Sequence, residues 1–243
     1  MSGNILVARI TSAFSEGKCM SRIALVSKPS PDRAKAYEAK RMEILRRAAL
    51  EFAEDGYHQT SVSSLAARLR VSKPVLYYYA KNKDDLLFQC GRVARDALQE
   101  AIDDATRAKL CGIDKIRLFF TKYAEIMCGD FGRCLALVDP KALAPIARGK
   151  DAMARRELEE AVRQMIREGQ EDRSITACNP VVASRALFGA FNGIPRWFHT
   201  DGTLKAKDVA DSYIDLFVTG MGRQQGTTRS AQGRAARRSR TRT

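Results

Sequence analysis

The stretch from Ser61 to Lys83, SVSSLAARLRVSKPVLYYYAKNK, leaves this chain few folds to choose from. Val62, Leu65, Ala66 and Leu69 recur at three- and four-residue spacing, which predicts a short helix from Val62 to about Leu69 with one apolar face. Ser61 stands where an N-cap oxygen is wanted. The pattern breaks around Arg70-Val71. It resumes at Ser72, placed to cap a second helix whose first turn contains Pro74, where a missing N–H costs nothing. Val75, Leu76 and Tyr79 or Ala80 are able to face inward, which leaves Lys73, Pro74, Tyr77 and Tyr78 at the tip and on the outer face. A helix with that tip suits the major groove of DNA: residues at its N-terminus reach base edges, and flanking hydroxyls and cations hold phosphates.

The residues around this pair extend the pattern. A helix predicted over Ala39–Asp55 carries Ile44, Leu45, Ala48, Ala49, Phe52 and Ala53 on one face and ends at Gly56-Tyr57. Thr60-Ser61-Val62, Leu65-Ala66, Val71-Ser72-Lys73, Leu76-Tyr77-Tyr78-Tyr79 and Asn82-Lys83-Asp84-Asp85-Leu86 follow at fixed intervals. With these motifs Arg41–Leu87, about a fifth of the chain, resembles the N-terminal DNA-binding domain of TetR/AcrR-type transcriptional regulators. Two positions depart from the family's pattern. Arg70 stands where a turn glycine is frequent, and Ala80 where a large apolar residue commonly fills the small core. The first should strain the turn and the second weaken packing.

On this reading Lys73, Pro74 and Val75 face base edges, Val75 against a thymine methyl, and Ser61, Ser63, Tyr77, Tyr78, Lys81 and Lys83 hold phosphates, with Ser72 at the helix cap. Four segments are expected: a mobile extension over 1–38, the helix-turn-helix domain over 39–88, a helical effector-binding and dimerisation domain over 89–221, and a disordered Arg-rich tail over 222–243. Asn82 caps a long helix with Asp84 and Asp85 in its first turn. Its stripe (Leu86, Cys90, Ala94, Leu98, Ile102) holds without a break, so one stiff rod should join the two domains.

Charge alone would not have located the DNA-binding surface. The chain carries +14. Residues 222–243 hold seven arginines and no acid, and residues 1–40 hold seven Lys/Arg against three acids; removing +7 and +4 leaves +3 for residues 41–221. The basic ends support one rival reading, a nonspecific nucleic-acid-binding protein. The other rival is a helical enzyme carrying a DNA-binding head, but no G-x-S-x-G, Gly-rich phosphate loop, H-E-x-x-H or Cys/His constellation is present. No enzyme activity, catalytic residue, metal site or cofactor is therefore expected. The six cysteines make no C-x-x-C pair and read as apolar filler in a reducing, cytoplasmic (nucleoid-associated) setting, with a redox pair at Cys128 and Cys134 the minor reading. No apolar run is long enough to span a membrane, and no signal peptide is read at the start.

Residues 111–221 read as all-helical, with helices drawn at Ile113–Cys128, Cys134–Leu143, Asp151–Glu168, Pro180–Phe198 and Lys205–Met221 and punctuated by Gly112, Gly129, Gly132, Gly149, Gly169 and Gly202. The fold class is thus all-α. In the fourth of these, Ala186, Gly189 and Gly193 put small residues on one face; Val209, Tyr213, Leu216 and Phe217 give the last helix a second apolar face. The resembling family dimerises through its last two helices as a four-helix bundle, and these residues are assigned to a homodimer interface. An intrachain contact is the alternative for the glycines. Phe119, Phe120, Tyr123, Met127, Phe131, Phe188, Phe191 and Trp197 are read as core or as the lining of a small-molecule effector pocket, with Arg133, Arg185 and Arg196 available to an anionic head group. The Asn192–Phe198 and Thr200–Gly202 stretch is similar to family branches that sense acyl-CoA or fatty-acid-like ligands. The expected function is a ligand-responsive repressor on a palindromic operator of double-stranded DNA, released by a small apolar or acyl-type effector.

Overall fold

The computed structural model of the chain describes residues 30–143, 145–199 and 201–221. Every regular element among them is helical. They are α1 (Pro31–Glu54), α2 (Val62–Arg68), α3 (Lys73–Tyr79), α4 (Lys83–Arg107), α5 (Gly112–Cys128), α6 (Asp130–Leu137), a 3₁₀ turn at Pro140–Ala142, α7 (Pro145–Glu171), α8 (Pro180–Trp197) and α9 (Ala206–Met221). The expected extension 1–38 lies outside the described residues up to 29. From Pro31 onward it is helix, because a proline at the first helical position starts α1 eight residues before Ala39, where the sequence pattern placed the start. The expected tail over 222–243 lies outside the described residues.

Two apolar cores follow from the stripes. Ile44, Leu45, Ala48 and Phe52 of α1 meet Leu65, Leu76, Ala80, Leu86 and Cys90, forming a head around α2 and α3. The far half of α4 (Leu98, Ile102) joins Phe119, Phe120, Val162, Ile166, Leu187, Phe191 and Ile214 in the core of the body. α4 belongs to both, as its unbroken stripe predicted, and Asn82 caps it by accepting the Asp85 N–H at 2.8 Å. α6 is the second shared element. Cys134 is buried in the head core and Phe131 packs against it, whereas Leu135 and Ala136 pack against the body.

Two glycines taken as punctuation prove to be contact points. A Cβ on Gly132 would overlap the Ile126 carbonyl and Met127 Cα, so only glycine lets α6 fold back tightly on α5. This is why α6 starts at Asp130 rather than Cys134. At Gly112 a Cβ would overlap the backbone of Gly169, where α5 crosses α7. Pro195 does not end α8, which runs on to Trp197.

The turn between α2 and α3 is a Schellman closure. Val71 N–H donates to Ala66 O at 3.0 Å and Arg70 N–H to Ala67 O at 3.1 Å, with Arg70 at φ 53°. A side chain in that left-handed conformation costs about 1–2 kcal/mol, partly offset by the greater chain entropy that glycine loses on folding. Arg70→Gly should therefore raise stability by about 0.5–1 kcal/mol, read as a higher urea midpoint at unchanged slope. A lower midpoint would mean that the arginine side chain holds the turn. Cys90, Cys128 and Cys134 are buried filler of the expected kind: burial, with Cys134 beside it, pushes the Cys90 thiol well up, and burial raises Cys128 to about 11. Cys128 and Cys134 lie in different cores, which does not favour the minor redox pairing.

Candidate nucleic-acid interface and internal cavity

α3 turns one side inward and the other to solvent. Leu76 is buried, while Lys73, Pro74, Tyr77 and Tyr78 are all exposed, Tyr78 to 70 %. Val75, which the sequence allowed on either side, is 39 % exposed. Among the described residues no ion pair engages Lys73 or Lys81. Ser63 and Ser72 are exposed; Ser72 occupies the cap position of α3, but its hydroxyl makes no capping bond there, contrary to expectation. Tyr37, from the unexpected first turns of α1, stacks on Tyr79 at 5.0 Å and meets Tyr78 edge-on at 5.6 Å.

Two of the assigned phosphate ligands have work inside the chain. Ser61 is committed to a capping box: its Oγ accepts the Ser64 N–H at 3.0 Å, and the Ser64 hydroxyl accepts the Ser61 N–H at 3.1 Å. Lys83, assigned to a phosphate, is engaged within the chain as a clasp. Its ammonium donates to Tyr57 O at 2.8 Å and Thr60 O at 3.0 Å and sits 4.1 Å from the Tyr57 ring centre. The Tyr57 hydroxyl in turn donates to Asp84. The start of α4 is thereby tied to the loop that precedes α2. The helix pair is also fixed from α1: Glu51, 2 % exposed, pairs with Arg68 of α2 and with Arg47 at 3.0 Å.

Below the head, α4, α5, α6, α7 and α8 enclose a cavity of about 330 Å³. Leu98, Met127, Leu135, Leu158 and Phe188 supply its apolar wall. Tyr123 donates to Asn192 Oδ1 at 2.6 Å at its edge, and burial holds that phenol above its usual range. Of the eight side chains assigned to a pocket, Tyr123, Met127 and Phe188 line it. Phe119, Phe120 and Phe191 are fully buried in the body core, Phe131 packs against the head, and Trp197 is 43 % exposed beside Tyr213. Helical spacing told which residues point inward, not whether the space there is filled. Arg196 lines the cavity; Arg133 and Arg185 do not.

Arg95, Asp151 and Arg155 also line it, and the sequence reading missed them. Asp151 is 2 % exposed and accepts from Arg95 Nη1 at 3.1 Å and Arg155 Nε at 2.9 Å. The available signal was an aspartate on the inward stripe of α7, in register with Ala154, Leu158, Val162 and Met165.

The small-residue face of α8 is open. Ala186 and Gly189 are exposed, Gly193 is half-buried, and a Cβ at either glycine would meet nothing within 4 Å. The intrachain alternative for the glycines is therefore not what is found. On α9, Leu216 is 73 % exposed and Tyr213 and Phe217 are half-buried, but Val209 is 5 % exposed in the chain's own core, which removes it from the assigned interface.

Residues 44–90 match the family model of bacterial regulatory proteins of the tetR family, and residues 110–221 match the tetracyclin repressor-like C-terminal domain. The solved structure of PfmR, a TetR family transcriptional regulator from Thermus thermophilus, is 31 % identical, covers 74 % of this chain and 99 % of its own, and superposes with a TM-score of 0.68. The chain belongs to the TetR family of transcriptional regulators. Within that family it is also similar to the fatty acid metabolism regulator protein of Bacillus subtilis (strain 168), at 25 % identity over 75 % of this chain and 95 % of that protein. The fold, at 20 % identity, matches AibR solved with isovaleryl coenzyme A and operator DNA (73 % of this chain, 97 % of that one, TM-score 0.65). The TetR-type head and C-terminal helical domain are those of a DNA-binding transcription regulator. Among the described residues no helix is long and apolar enough to cross a membrane, and no group of three His, Cys, Asp or Glu could hold a metal.

Proposed function

We propose that this regulator is a repressor that binds an inverted-repeat operator as a homodimer and lets go when a small acyl-type effector fills the cavity. One observation carries the reading: two elements are shared by the exposed head and the cavity wall. α4 is clasped to the head at Lys83 and lines the cavity at Arg95 and Leu98. α6 buries Cys134 in the head core and lines the cavity at Leu135 and Ala136. A ligand that shifts either element changes the separation of two heads in a dimer, and operator affinity falls by the ratio of its affinities for the two states. The acyl class is supported by the apolar wall and by similarity to a fatty acid metabolism regulator.

Within the head, Lys73, Pro74 and Val75 address base edges, and Ser63, Ser72, Tyr77, Tyr78 and Lys81 address phosphates. Two heads on half-sites about 34–36 Å apart would read successive major grooves. Lys73→Ala should cost roughly 1–3 kcal/mol at particular base pairs, measured by fluorescence anisotropy on operator variants; equal loss on all sequences would contradict base readout. The reading as a whole is tested with the inverted repeats upstream of the chain's own and neighbouring genes. Binding at physiological salt to at least one of them, and to none of a shuffled set, is expected. Binding to all alike, lost on deletion of residues 222–243, would support the nonspecific rival instead.

A further inference from the structure

The cavity wall is electrically unbalanced. Arg95, Arg155 and Arg196 line it, against Asp151 and Glu159. Glu159 is already held by Arg163 at 2.6 Å, which leaves Asp151 as the one carboxylate of the wall facing three guanidiniums. Asp151 binds Arg95 and both Nε and Nη2 of Arg155, and Arg196 has no partner among the described residues. Arg95 and Asp151 are the inner members, with 13 % and 2 % of their side chains exposed. Arg155 and Arg196 are exposed and so mark the solvent side. The Tyr123–Asn192 hydrogen bond lies one helical turn before Arg196 and closes the wall beside it. Beneath these groups the wall is apolar.

Uncompensated positive charge beside apolar surface favours one kind of occupant. An apolar chain removes water from the wall, and as water leaves, the attraction between the guanidiniums and an anion strengthens. A neutral ligand would desolvate Arg155 and Arg196 with nothing in return.

Taking the cavity as the effector site of the function proposed above, we infer that its ligand carries a single apolar chain and an anionic group, and that the anion is received by Arg155 and Arg196. Asp151 is then the resident counter-ion from which the ligand draws Arg155 away, leaving Asp151 to Arg95 on α4. The anion's source, a free carboxylate or the phosphates of a coenzyme A thioester, is a matter for the probes.

The full chain is titrated by calorimetry with decanoate, decanoyl-CoA and methyl decanoate. At least one of the two anionic probes is expected to bind about tenfold or more tighter than the ester, since a hydrogen bond to a charged group is worth that much. Arg196→Gln removes no hydrogen bond or ion pair among the described residues and should erase most of the preference; Arg155→Gln should do likewise. Tighter decanoate identifies the carboxylate, tighter decanoyl-CoA the phosphates. An ester bound as tightly as both anions, or a preference that survives both substitutions, overturns the inference and leaves the effector site standing. No binding of any probe by protein that still holds its operator overturns the inference and the acyl-effector reading together, but not the DNA-binding one.

Discussion

Gly189→Leu combined with Gly193→Leu is expected to give a folded monomer whose operator affinity is lower by about 10²–10⁴-fold, the factor lost when two linked binding events become one. Neither glycine is required by its own chain: both have ordinary helical backbone, and a Cβ at either meets nothing within 4 Å. Leucine favours helix over glycine by close to 1 kcal/mol per site, so each protomer should melt no earlier than the original. What the substitution changes is the outer face of α8, where Val182, Ala186, Gly189 and Gly193 form a shallow strip on which a second helix can lie close. Two leucines fill it. Light scattering gives the mass and anisotropy the affinity. A mass still twice that of the chain would move the interface away from this strip, with the exposed Leu216 side of α9 as the next place to look. A monomer with undiminished operator affinity would remove the inverted-repeat requirement.

Legibility differed from one part of the chain to another for identifiable reasons. The head was readable because each of its signals is local: a cap at Ser61, a proline at the start of α3, a stripe in α1, an aspartate-rich first turn in α4. The strain at Arg70 was readable for the same reason, since a turn that prefers glycine shows the preference at one position. The start of α1 was not, because Pro31–Glu38 carries little apolar surface until Tyr37, and that ring is held by Tyr78 and Tyr79, about forty residues away. Lys83 misled because a lysine's partners are tertiary: the sequence shows a cation at a helix start, and only the fold shows two carbonyls within reach of it. In the body, periodicity separated inside from outside but not filled interior from void. Gly132 was misread as a break because glycine ends helices and also lets them touch, and only the neighbour decides between the two.

Phe120→Ala separates filled interior from void directly. The ring is fully buried, with Phe191 at 4.7 Å, Phe119 at 5.0 Å, Phe188 at 5.3 Å and Tyr123 at 5.7 Å between ring centres. Truncation removes these contacts and leaves a hole that rigid neighbours close only in part. The expected loss is about 3–5 kcal/mol, a large share of the roughly 5–15 kcal/mol that holds a typical domain together. It should appear as a much lower urea midpoint. Ligand affinity should change little at temperatures where the variant remains folded, because Tyr123 and Phe188 line the cavity and this ring does not. The opposite pattern, stability lost by under about 1 kcal/mol and ligand affinity altered tenfold or more, would return Phe120 to the pocket lining. It would also mean that the aromatic cluster at Phe119–Tyr123 and Phe188–Phe191 opens to admit the effector, rather than serving as the fixed wall against which α4 and α6 move.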